Sequence, residues 1–329
     1  MYSAAGKSLA AVAAALVSIF SFQPTAQAAT LAQGYNAFIF GDFTTQSSDV
    51  EGRLAVGGNM NVTSYSVGDK ITDKGGTTLV VGGNLTWGDG QVYHGNALVG
   101  GTYTGPNNLI EGYSVYSNYS PLPVDFDKEK ETLLELSEQL ANLAANGSVS
   151  KLYSTVDLVG NLNPEFQVFD VDGSLLLSNY SGIKLDTSSI HEDATVIVNI
   201  SGTDLDFMNG LDGFTSIRER VIFNFYEATT LNIGSIAVQG TVLAPYATIE
   251  HNWGVIWGQV IAENYYSSVQ VNHIAFNGKL PPPPDKPELP PLLPPPEEPE
   301  HINPNPEPAS AAFLMLGAAA AAVACRRRR

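Results

Sequence analysis

Cysteine, histidine and basic residues are all scarce in this chain of 329 residues. The one cysteine, Cys325, stands four residues from the end, so the body of the chain forms no disulfide and uses no thiol chemistry, and its stability has to come from packing. Lys and Arg total 16 against 33 Asp and Glu, a formal charge of −17. A surface of that sign repels nucleic acid and anionic lipid, and neither is an expected partner. The five histidines, His94, His191, His251, His273 and His301, show no His-x-x-x-His spacing, and no zinc site is expected of them. There is no Gly-x-Ser-x-Gly elbow, and no Gly-rich turn is followed by Lys-Ser or Lys-Thr, so neither a hydrolase triad nor a phosphate loop is indicated. No catalytic residue, cofactor or metal ligand is assigned.

Long apolar runs are confined to the two ends. Lys7 precedes an apolar segment from Leu9 to Phe22, and Ala26-Gln27-Ala28 supplies a small-x-small site. That layout describes a secretory signal peptide over 1–28, cleaved after Ala28 with Ala26 as the second small residue. A first membrane helix is the alternative, and the run is short for one. At the other end, Pro306-Glu307-Pro308-Ala309-Ser310 leads into an apolar run from Ala311 to Cys325, followed by Arg326, Arg327, Arg328 and Arg329. Fifteen residues at 1.5 Å rise cover about 22 Å, less than the hydrocarbon core of about 30 Å, so this transmembrane-like helix spans only with help from its flanks. The arginines stay cytoplasmic by the positive-inside rule, which puts everything before Ser310 across the membrane. Without residues 1–28 and 309–329 the chain keeps 11 basic and 33 acidic residues, a charge of about −22.

The order Pro-Glu-Pro, Gly-containing apolar helix, Arg cluster resembles the PEP-CTERM sorting signal of Gram-negative bacteria, here 306–329. The resemblance implies a partner, a sorting protease of the exosortase type. It would cut near Pro306, Glu307 and Pro308 and pass the protein from the inner membrane to the cell surface or exopolysaccharide matrix. Membrane contact is then transient and limited to the C-terminal segment.

Between the ends the pattern is mostly β. Leu54-Ala55-Val56-Gly57-Gly58-Asn59 recurs as Leu79-Val80-Val81-Gly82-Gly83-Asn84 after 25 residues and as Leu98-Val99-Gly100-Gly101 another 18 on. A short apolar strand ending in a Gly-Gly corner, repeated near this period, predicts rungs of a parallel β-solenoid; hairpin turns of a β-sandwich are the alternative. From Asp127 the pattern changes: Leu133, Leu136, Leu140 and Leu143 are spaced 3, 4, 3 and Asn146-Gly147 reads as a stop. This predicts one helix over about 127–146, its leucine stripe on the side of the β body. Strands return at 166–177, 194–200, 220–226, 230–236 and 236–243. The segment 281–305 is Pro-rich with acids between and reads as an extended spacer, Pro281 to Pro306 reaching roughly 80 Å.

The Asp49–Asn59 segment, the second Gly-Gly-Asn copy, the single helix and the finish from Gly240-Thr241-Val242-Leu243-Ala244-Pro245 to Gly258-Gln259-Val260-Ile261-Ala262 are similar to the choice-of-anchor A domain, over 29–280. The resemblance implies a bacterial surface protein carried on one of several anchors, regarded as adhesive or matrix-associated, with no catalytic residues. A looser similarity is to β-solenoid ice-binding proteins.

Local features are weak. Asp170-Val171-Asp172-Gly173 opens like a calcium loop but lacks a further acid and the closing Glu, so it reads as a type I turn. Asp49 and Glu51 are placed to pair with Arg53. Glu250-His251 with Trp253 either lines a groove or turns between rungs. The expected function is an exported, non-enzymatic surface or matrix protein, adhesive or structural, with exopolysaccharide or another surface polymer as the ligand. A polysaccharide-active β-helix enzyme is one alternative. Ice binding, which needs flat Thr-x-Thr ladders, is the other, and Thr102-Tyr103-Thr104 is its single instance.

Overall fold

The computed structural model describes residues 31–176 and 181–283. The strand Ala37–Ile39, near the start, sits in the middle of the structure. Leu54–Val56 pairs with it on one side and Val260–Tyr265 on the other, both parallel. From there the first half coils outward through 77–81 and 96–99 to Val115–Tyr116. The second half starts at the opposite end with Phe166–Asp172 and coils inward through 195–201, 221–224 and 241–250 until Val260 lies against Ala37. The expected parallel β-solenoid is therefore present. Among the described residues every pairing is parallel except Ser148–Leu152 with Thr155–Val159, so the sandwich alternative falls.

Each complete coil contributes strands to three faces. On the first, both sides are covered and the central strands are apolar throughout: Ala37, Phe38, Ile39 and Leu54, Ala55, Val56 are all fully buried, as expected for a sheet with a core on each side. The second face carries the strands Phe43–Val50, Met60–Val67, Leu85–Trp87 and Tyr103–Thr104, with threonines and asparagines outward. The third face sends Val238, Ile256, Val271, Val50, Val67 and Val92 inward in one ladder.

The Gly-Gly-Asn repeats stack at one corner. A Cβ on Gly82 would lie 2.1 Å from the Gly57 carbonyl oxygen, and one on Gly100 2.3 Å from that of Gly82. Only glycine permits this approach. The asparagine then fixes the coils to one another: Asp42 Oδ1 accepts from Asn59 N at 2.7 Å, Asn59 Oδ1 from Asn84 N at 3.0 Å, and Asn84 Oδ1 from Thr102 N and Oγ1 at 2.9 Å. The repeat spacing is uneven because residues 68–76 loop out of one coil. There the structure corrects the expected ion pair: Arg53 joins Asp73 at 2.8 Å, while Glu51 Oε2 accepts from His273 N.

One helix, Phe126–Ala141, covers the first face. Asp125 caps it by accepting from Lys128 N, and acids occupy its first turn, which suits the N-terminal dipole. It ends five residues earlier than expected. Asn142 Nδ2 donates to Glu138 O, and Asn146 is drawn away to the sheet, where its amide bonds Phe166 O and Val168 N. Leu133 and Leu140 are buried against Ile197, Ile222, Leu243 and Ile261, with Leu136 and Leu143 at the margin. The expected docking of the stripe is thus observed. From Phe126, against Phe38 at 5.5 Å, to Leu140, whose carbonyl accepts from Asn199, the helix rises about 21 Å. The four strand steps between those partners span about 19 Å, so helix and sheet match in length. Asp170–Gly173 is also corrected: Asp170 and Asp172 lie within the strand Phe166–Asp172, and the turn comes after it, where Asp172 Oδ1 accepts from Ser174 N.

Candidate functional site: a polar groove at the closure of the coil

Where the two halves of the solenoid meet, the corner between the second and third faces opens into a groove of about 1030 Å³. One wall is the outward edge of two neighbouring strands, with Thr44 paired to Asn61 and Gln46 to Thr63. Both strands then bend together at Ser47 (φ +57°) and Ser64 (φ +51°). Left-handed backbone at adjacent non-glycine residues is strained and persists where the surroundings hold it.

The opposite wall is the turn His251–Trp253, between the strands Thr241–Glu250 and Gly254–Trp257. It is held in place by its neighbours. Asn252 Oδ1 accepts from Ser268 N at 3.1 Å and from Ser268 Oγ at 2.9 Å, His251 O accepts from Ser267 Oγ, and Trp253 O accepts from Ser235 N. His251 (φ +81°) and Trp253 (φ +70°) are both left-handed. Trp253 is left 80 % exposed, and Tyr266 beside it 44 %.

The coil between these walls is recessed. Its Ser267 and Val269 are buried and it forms no strand from 266 to 269. Tyr265 Oη reaches inward to Val269 O. Beneath it, Phe43 stacks on Tyr265 at 4.8 Å and Tyr65 packs edge-on to Phe43 and Trp87, a rigid aromatic floor. The groove comes from one withdrawn coil between two that stand proud.

Among the described residues, Asp49 is the one carboxylate in the lining, and no Lys or Arg lines the groove. Its Oδ1 is buried without a hydrogen-bond partner. Burial raises its carboxyl above the usual carboxylate range, the nearby charges of Asp69 and Glu51 add to that, and Gln270 and Lys70 oppose it. The folded chain therefore binds this proton more tightly than the unfolded chain, so stability falls as pH rises from the ordinary carboxylate pKa through the raised one. Asp49→Asn is expected to raise the melting temperature at pH 7 by about 1–2 °C, discounted for partial exposure, and to give no gain at pH 3. Paired thermal melts at the two pH values check this; equal melting at pH 7 would remove the argument.

Along the second face, Thr104, Thr86, Asn61 and Thr44 form an outward ladder, continued beyond the groove by Glu250, Asn232 and Asp206. Thr104 was legible in the sequence as half of one Thr-x-Thr. Its stacking on Thr86 was not, because the coils differ in length. Of the expected cluster, Trp253 lines the groove and His251 shares its turn. Tyr266 and Thr44 were missed, since nothing local links residues over 200 positions apart. Ala26, Ala28, Pro306, Glu307, Pro308 and Arg326 to Arg329 lie outside the described residues, as do the expected signal peptide, sorting signal and all but the first three residues of the spacer. Among the described residues no helix is long and apolar enough to cross a membrane.

The described residues thus form a parallel β-solenoid with a helix on one face and an open polar groove at its closure. Residues 28–273 match the family model described as "Putative Ice-binding-like adhesive domain", and the chain belongs to that family. Curated protein sequences give no match. Among solved structures, the chain is similar to an ice-binding protein from the Antarctic ascomycete Antarctomyces psychrotrophicus, at 11 % identity and TM-score 0.35, over 76 % of this chain and 97 % of that one. It is also similar to a glycosylated ice-binding protein from an Arctic yeast, at 10 % identity and TM-score 0.33, over 79 % and 98 %. Scores of this size are too low to carry function across.

Proposed function

We propose that the protein is an exported, non-enzymatic adhesive of the cell surface or exopolysaccharide matrix, a choice-of-anchor A protein sorted through a PEP-CTERM tail. The observation that carries the adhesive part is the family match over nearly the whole β body. The sorting part rests on Pro306-Glu307-Pro308, the apolar run and the four arginines. In this reading residues 1–28 are removed on export, 29–280 form the adhesive domain, 281–305 hold it away from the membrane, and 306–329 are cut by the sorting protease. Fractionation of cells making the full chain, with mass spectrometry of its C-terminus, tests the route. A mature end between Pro306 and Ser310 in the surface or matrix fraction is expected; an intact Arg329 in the inner membrane would leave a tethered domain facing the periplasm.

Ice binding is the second reading, favoured by the Thr104–Thr86–Asn61–Thr44 ladder, whose members repeat at about the 4.8 Å strand spacing. Against it, the same row continues as Glu250, Asn232 and Asp206, which break a flat threonine surface. Thermal hysteresis that is lost in Thr86→Lys would favour this reading; none at millimolar protein would remove it.

A further inference from the structure

We infer that the groove between Thr44 and Trp253 binds an uncharged polysaccharide, with Trp253 and Tyr266 as stacking platforms for sugar rings. This rests on the adhesive reading above and names the ligand class. The walls offer side-chain hydroxyls and amides, among them Thr44, Gln46, Asn61, Thr63 and Ser268. Such groups both donate and accept, as sugar hydroxyls do. Among the described residues no cation stands in the lining to pair with a carboxylate, sulfate or phosphate, and Asp49 together with the acidic surface repels such groups. Acidic polymers are therefore excluded by charge, and purely apolar ligands by the polar walls.

The aromatics supply the remaining affinity. The Trp253 indole is left 80 % exposed on a strained turn, and that turn is tied down by Asn252 and Ser268 rather than left loose. Rigid Trp and Tyr beside adaptable Ser and Asn is the composition that gives contact area at low entropic cost. A sugar ring presents C–H groups on its face and hydroxyls on its rim, so the face meets Trp253 and the rim meets the walls. About 1030 Å³, open to solvent on one side, suits a short run of sugar units with the chain continuing at both ends.

Affinity electrophoresis of the full chain tests this in gels holding dextran, mannan, hydroxyethylcellulose or laminarin, with alginate as the acidic polymer. Titration of tryptophan fluorescence with the same polymers runs alongside. Retardation by at least one uncharged polymer and none by alginate is expected. Trp253→Ala should weaken it at least tenfold, Trp253→Phe should retain part of it, and Tyr153→Ala, at an exposed aromatic 93 % open elsewhere, should not change it. Trp253 contributes little to the core, so Trp253→Ala should melt within about 2 °C of the parent. Retardation by no uncharged polymer, by alginate alone, or equally in parent and Trp253→Ala would overturn the inference, as would binding of an unstructured peptide at the groove in place of glycan. Attachment of cells displaying the chain separates the two levels. Attachment unchanged in Trp253→Ala sinks the groove and leaves adhesion standing, whereas no attachment by the parent sinks adhesion itself.

Discussion

Gly82→Ala is expected to destabilise the protein by about 3 kcal/mol or more, lowering the melting temperature by about 6–12 °C for a domain of this size. The cause is not backbone freedom, since Gly82 is outside the left-handed region. It is distance. The added Cβ would sit 2.1 Å from Gly57 O and 3.0 Å from Gly57 C, both backbone atoms. Gly57 cannot retreat, because Gly58 O holds Gly83 N at 2.8 Å and Val56 O holds Gly82 N at 2.7 Å. Relief requires two coils to part, and with them the Asn59–Asn84 bonds that keep them in register. Gly75→Ala is the contrast: nothing lies within 4 Å of its Cβ, and its φ of +98° predicts a loss of about 1 kcal/mol. Thermal melts of both variants decide the matter, and equal losses would show that the stacked corner does not set the register.

The repeat that makes this corner is legible in the sequence. A strand, two glycines and an asparagine say what one coil looks like, because each residue has a local reason to be there. They do not say in which order the coils stack. Ala37–Ile39 lies in the middle rather than at an end because the segment before the helix returns past the coils already built, with Leu122 beside Gly100 and Phe126 beside Gly57, and the helix then runs on from Phe38 to Asn199 at the other end; a helix read from leucine spacing gives no direction of travel. The end of that helix differs from the expected one for a related reason: Asn146 looks like a stop, but its amide is committed to Phe166 and Val168, in a strand it meets only in the folded state. Arg53 likewise pairs with Asp73 across a loop and leaves the acids nearest in sequence. The groove was half visible. Trp253 beside His251 marked a special turn, yet its partners Thr44 and Tyr266 are brought to it by closure of the coil, and closure leaves no periodic trace.

The helix itself is held by more than leucines, and the second large effect lies there. On the first face the outward row changes from Phe38, Ile261 and Leu243 to Asn224, Asn199 and Asp170. These polar residues meet the helix in a buried chain of bonds. Asn224 Nδ2 donates to Ser137 O and to Asn199 Oδ1 at 2.9 Å, Ser137 Oγ donates to Asn224 Oδ1 at 2.6 Å, and Asn199 Nδ2 donates to Leu140 O at 2.9 Å and to Asp170 Oδ1 at 3.2 Å. Ser137, Asn199 and Asn224 are 1, 2 and 0 % exposed. Asn224→Leu keeps the branched shape of the side chain, adds the bulk of two methyls, and strands Ser137 Oγ and Asn199 Oδ1 without a partner, a loss of about 3–5 kcal/mol. Asn224→Leu combined with Ser137→Ala removes one orphan and is expected to recover about 1–2 kcal/mol of that loss. Leucines alone would let the helix slide along its apolar stripe, whereas this network accepts one register, Ser137 at Asn224 and Leu140 at Asn199. Hydrogen exchange of the helix amides separates the two roles. Faster exchange across 126–141 in Asn224→Leu, with the Gly-Gly coils still protected, means the network docks the helix. Uniform loss across the whole domain would mean that helix and coil unfold together.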